Sequence, residues 1–170
     1  MRFREPTGYT GKISETELFG NLKFEKGKEQ FEYIPRRAAF DAVREMQPFD
    51  PSDPGPDFAN AVHALIFEKL EIDADELKYY TAVGSPLDVY HGIDAWFEYK
   101  GKIVTIDSTL RPDKDEHKAD IVFHPPSDGL DRKVDKDQFI RYCEQLAEEV
   151  ILHLRAGGHE NQAKQYVRGN

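Results

Sequence analysis

The chain has 170 residues, of which 39% are hydrophobic and 32% charged, with a formal net charge of −9. That length fits one domain that buries about 70% of the surface its unfolded chain exposes, and the composition is polar but globular rather than disordered. The acidic balance speaks against a broad electrostatic grip on nucleic acid, and no apolar run reaches the roughly 18 residues of a membrane span.

The first residues, Met1-Arg2-Phe3-Arg4-Glu5-Pro6, lack the apolar stretch of a signal peptide. Cys143 is the only cysteine, so no internal disulfide can form. Both features fit a reducing cytoplasm. Residues 1–34 are charged and dotted with aromatics. Within them, 18–24 and 30–34 read as short strands or extended arms around a Lys26-Gly27-Lys28 turn. An arm over 19–33 could join two copies of the chain into a homodimer. Pro35 suits the first turn of a helix over 36–46, and Pro48, Pro51, Pro54 and Pro56 then make a stiff connector. Asp57 is placed to cap a helix over 58–71, whose apolar stripe is Phe58, Val62, Leu65, Ile66 and Leu70. Glu68 lies at the margin of that stripe. His63 reads as a surface or boundary histidine. Residues 77–83 suit a strand, with Gly84-Ser85-Pro86 as a breaker.

Residues 91–109 carry the strongest local pattern, a β-hairpin turning at Lys100-Gly101, where Gly supplies positive φ. A two-residue loop pairs Tyr99 with Lys102, so paired numbers sum to about 201 and Asp94 faces Asp107. A three-residue loop with a bulge would make the two diagonal instead. One face, with Ile93, Ala95, Phe97, Tyr99, Val104 and Ile106, is a core face. The other, with Asp94, Trp96, Glu98, Ile103, Thr105 and Asp107, is mixed. Two facing carboxylates call for a cation, a shared proton or a basic neighbour; alternatively they are strand-end residues bonded to loop amides. After a polar loop, 119–123 reads as a short buried strand. Asp135 with Gln138 resembles a capping box for a long helix, whose apolar residues from Phe139 to Leu154 repeat at helical spacing. Gly157-Gly158 stops it, and Cys143 falls on its core face. The whole reads as one domain, with a 1–34 arm segment, a 57–156 core and a polar 159–170 tail.

The chain has no phosphate-cradling glycine loop, no cysteine pair for zinc, no H-E-x-x-H and no G-x-S-x-G elbow. The histidines nearest the hairpin, His91, His117 and His124, match no ligand spacing. What remains is the acid pair with a helix before it. Over residues 57–123 this pattern resembles the PD-(D/E)xK nuclease superfamily, the restriction-endonuclease-like fold. That family sets an acid-bearing helix before a hairpin, an Asp opening the first strand, and an acid, one residue and a Lys ending the second.

The resemblance implies an α/β fold, a mixed central sheet flanked by helices with an N-terminal extension. It also implies a metal-dependent nuclease, a hydrolase of phosphodiester bonds in DNA or RNA that uses Mg²⁺ or Mn²⁺. Asp94 and Asp107 resemble the family's ligands, with Glu68 as the helix acid and the Ser108 backbone carbonyl as a further ligand. Thr109 stands where the family has Lys, so the positive charge would come from Lys114 or Lys118 in the following loop. The alternative is a non-catalytic module of the same fold, whose acidic surface meets a protein partner. A small-molecule hydrolase of another type is a third reading. None of the three involves a membrane.

Overall fold

The computed structural model describes residues 11–22, 32–111 and 118–156. They form five α-helices and a four-stranded mixed sheet: α1 (Gly11–Phe19), α2 (Arg36–Arg44), α3 (Asp57–Leu70), β1 (Lys78–Thr81), α4 (Pro86–His91), β2 (Ala95–Tyr99), β3 (Lys102–Ser108), β4 (Ile121–Phe123) and α5 (Lys136–Arg155), with a 3₁₀ turn at Ala74–Glu76. The strands lie in the order β1-β2-β3-β4; β1, β2 and β3 form an antiparallel meander and β4 runs parallel to β3.

The alternation of side chains along the strands builds two cores. Tyr79, Ala95, Phe97, Val104 and Ile106 point to one face, where Leu18 and Phe19 of α1, Phe58, Val62 and Ile66 of α3 and the apolar stripe of α5 cover them. Trp96 points to the other face, packed with Ala39, Phe40 and Val43 of α2 and Leu87 of α4. The face of the hairpin that looked mixed in sequence is therefore also buried. Arg44 makes this work: its guanidinium pairs with Glu98 at 3.1 Å and lies over the Phe40, Tyr80 and Trp96 rings.

The hairpin turn has φ of 52° at Lys100 and 80° at Gly101, two successive positive values of the kind a type I′ turn requires. The expected pairing holds from Tyr99↔Lys102 to Ala95↔Ile106. The edge strand β1 is sealed by the connector before α3. Gln47 gives and takes 2.9 Å hydrogen bonds at the Thr81 backbone, and Pro51 accepts from Tyr79 N–H. Satisfying an edge in this way removes a template for pairing with other chains.

Several local expectations are corrected. Leu18 and Phe19 end a helix rather than start a strand, and 32–34 is irregular. The turn proposed at 26–28 lies outside the described residues, as do the Gly157-Gly158 stop and the tail. Asp57 is the first residue of α3, after Pro56, and makes no side-chain cap. Gly84-Ser85-Pro86 does more than break a strand: Ser85 caps α4, its Oγ accepting from Leu87 and Asp88 N–H, and Pro86 takes the first turn. His63 is buried, not superficial; it donates from Nε2 to the Leu77 carbonyl at 2.8 Å. Asp135 caps α5 by accepting from Gln138 N–H, and Cys143 is in the core, where burial pushes its thiol up to about 12.

Candidate metal site

Asp94 immediately precedes β2, and the backbone there departs from the regular ladder. Its carbonyl accepts from Ala82 N–H, which continues the pairing with β1. Its own N–H goes to the Ile106 carbonyl at 2.8 Å, one residue short of the partner that the sum of 201 would give. The ladder ends at Ala95↔Ile106, so Asp94 and Asp107 are not a cross-strand pair. The displaced register at the strand end gives the Asp94 side chain a different backbone partner. Its Oδ2 accepts from Ser108 N–H at 2.8 Å. Ser108 thus holds a carboxylate through its amide.

Two acids that the sequence did not single out meet Asp94 here. Asp88 comes from the first turn of α4, which the Ser85 cap fixes, and its Oδ2 accepts from Gly84 N–H at 2.9 Å. Glu15 comes from α1. Oxygen atoms of Glu15, Asp88 and Asp94 lie within 4.8 Å of one another. Asp94 is 1% exposed and Asp107 5%, while Glu15 and Asp88 are half-buried and open the group toward solvent.

Burial is the first cause that pushes the Asp94 carboxyl well above the usual carboxylate range. The charges of Asp88, Glu15 and Asp107 add to it, and the Ser108 N–H opposes it. Asp88 is also raised, mainly by burial, against the Gly84 N–H, its closeness to Asp94 and the charge of Lys12. Asp88 and Asp94 thus form a cluster of like charges, both raised mainly by burial, that a cation or a proton would relieve. The ammonium of Lys12 lies near Gly84 and acts on Asp88: a Cβ on Gly84 would lie 3.6 Å from its Nζ. Gly84 has φ of 85°, so glycine is needed for both backbone and space.

The sequence-derived candidates therefore divide. Asp94 and Asp107 are buried near one another, close enough for Asp107 to act on Asp94. Glu68 is exposed on α3, whose inner face is Phe58, Ala59, Val62, His63 and Ile66, and it is not among the converging acids. Lys118 is exposed; its stem lies over Gly92, where a Cβ would be 3.9 Å from its Cβ and Cδ. Lys114 lies outside the described residues. His91 spends its Nε2–H on the Ile34 carbonyl, and His124 is exposed.

The donor set is oxygen only, which suits Mg²⁺ or Mn²⁺ rather than zinc or copper. No family model, curated protein or solved structure matches the chain. Among the described residues, no helix is long and apolar enough to cross a membrane.

Proposed function

We propose that this chain is a divalent-metal-dependent phosphodiester hydrolase of the PD-(D/E)xK kind, acting at the Glu15/Asp88/Asp94 cluster. The observation that carries this reading is the meeting of three carboxylates from three separate elements within 4.8 Å, one of them buried. It is supported by the placement of Asp94 at the opening of the hairpin's first strand and of Asp107 near the end of its second. The mixed sheet with helices on both faces agrees with it as well.

Asp94, Asp88 and Glu15 would hold Mg²⁺ or Mn²⁺, with Asp107 adding negative charge behind them. When bound, such an ion activates water and offsets charge on a scissile phosphate. Asp94 is pre-oriented by the Ser108 N–H, and Asp88 by the Gly84 N–H, so little ordering is needed on binding. Both Asp88 and Asp94 hold protons more tightly than ordinary carboxylates, so a cation competes with protons and uptake strengthens with rising pH. Lys12 takes the place sought for Lys114 or Lys118. Its ammonium offers the positive charge that Thr109 cannot supply, and a flexible stem lets it turn from Asp88 to a phosphate oxygen.

The reading is tested with the full chain against single- and double-stranded DNA and RNA in Mn²⁺. Cleavage should vanish in Asp94→Asn. It should fall strongly in Lys12→Met while Mn²⁺ is still bound. Mn²⁺ uptake with no cleavage of any of the four substrates would favour the non-catalytic module instead, with the acid cluster serving a protein partner.

A further inference from the structure

A groove runs between α3 and the first half of α5, on the opposite face of the sheet from α2 and α4. It encloses about 310 Å³. Ala61 and Ala64 offer only methyl groups from α3, which leaves the space open; Ile140 and Cys143 form the facing wall. One end is different. Arg132 and Lys136 line it at the start of α5, and neither makes an ion pair with another described residue. Two of the neighbouring acids hold backbone amides: Asp131 accepts from Lys133 N–H and Asp135 from Gln138 N–H. The Arg132 guanidinium lies 4.9 Å from the Phe139 ring centroid, which holds it at the mouth of the groove.

We propose that this groove binds a small amphipathic monoanion, a medium-chain carboxylate, with its head at Arg132 and Lys136 and its tail toward Cys143. The polarity of the groove sets the class of ligand. Its walls are almost wholly apolar, and its two cations sit together at the start of α5, in a chain whose net charge is −9. The walls would disfavour a fully polar anion, and a neutral hydrocarbon would leave the two cations without a counter-charge. From Lys136 to Cys143, α5 rises about 10 Å, so head and tail subsites are separated by the length of a short alkyl chain. The volume lies at the lower end of the roughly 300–1,000 Å³ range of small-molecule sites, which favours a soluble amphiphile over a folded partner. The first turn of a 20-residue helix adds a favourable dipole for an anionic head. This site shares no residue with the acid cluster, so it stands whether or not the chain is a hydrolase.

Calorimetry of the full chain with decanoate, below its micelle concentration, tests the proposal, with decanol as the uncharged comparison. Saturable binding of one decanoate per chain is expected. Reversing both cations, Arg132→Glu with Lys136→Glu, should weaken decanoate by about tenfold or more and leave decanol nearly unchanged. Filling the groove with Ala64→Phe should weaken both ligands. Because Ala64→Phe could disturb the α3–α5 packing, Ile140→Asp serves as a second block, since Ile140 is already 39% exposed. No saturable decanoate binding would overturn the proposal. So would a decanoate affinity untouched by charge reversal, or binding that survives both groove-blocking variants in folded protein.

Discussion

Asp94 is removed from water at a point where Asp88, Glu15 and Asp107 are its neighbours. Its folded pKa is above its unfolded value, so the folded chain holds more protons than the unfolded one over the interval between them. Stability from this group is complete below the usual carboxylate pKa of 3.8 and is lost as pH rises through the folded value. Asp94→Asn keeps the shape: the amide oxygen can still accept from Ser108 N–H, and one charge is removed from beside Asp88 and Glu15. The expected outcome is a variant more stable than the native chain in the absence of divalent ions. Its advantage should grow as pH increases and disappear in acid. Urea unfolding at stepped pH measures this, and a difference that does not vary with pH would count against a raised Asp94 carboxyl. His63 acts in the opposite sense. Burial lowers its pKa below 6.5, so its contribution is present above 6.5 and is lost as pH falls through the folded value. Comparing the variant with the native chain cancels that term.

At the scale of elements, the hairpin turn holds Lys100 at φ 52°, where a residue with a Cβ is strained by about 1–2 kcal/mol. Asn suits the first position of a type I′ turn better, so Lys100→Asn should raise stability by about 0.5–1 kcal/mol, read as a higher urea midpoint at unchanged slope. This turn was legible in sequence because Gly101 and the alternating apolar residues on both sides fix it jointly. The long helix was legible for a similar reason: Asp135, Gln138 and the stripe from Phe139 to Leu154 all agree. Of the three acids in the cluster, only Asp94 was legible. Helix α1 hid because its pattern is inverted in places, with Ser14 buried and Ile13 41% exposed, so Glu15 carried no helical signature. Asp88 hid because Gly84-Ser85-Pro86 suggested only a breaker. Yet Ser at the cap, Pro in the first turn and Asp two residues later also spell a helix start, and that signal could have been read. The direct opposition of Asp94 and Asp107 failed because strand periodicity assumes the ladder continues. Here it ends one pair earlier, with Asp94 N–H displaced to Ile106. Glu68 lies on the exposed side of α3, outside the converging acids, because a place beside the apolar stripe does not say which way a side chain points.

For the molecule as a whole, a net charge of −9 means that any salt will screen self-repulsion and add some stability. A specific cation site must do more than that. An ion that binds only the folded chain stabilises it by about 2.7 kcal/mol at a hundred times its dissociation constant, which in a chain of this size moves the melting temperature by about 5–10 °C. The most direct measurement is a calorimetric titration of Mn²⁺ into the native chain and into Asp94→Asn, at a fixed high concentration of NaCl to remove general screening. The native chain should take up Mn²⁺ saturably, release a proton as it does so, and melt at a higher temperature with the ion present. Asp94→Asn should do none of these while remaining folded. Equal uptake by the two chains, or no saturable uptake by the native one, would contradict a metal site at Glu15, Asp88 and Asp94.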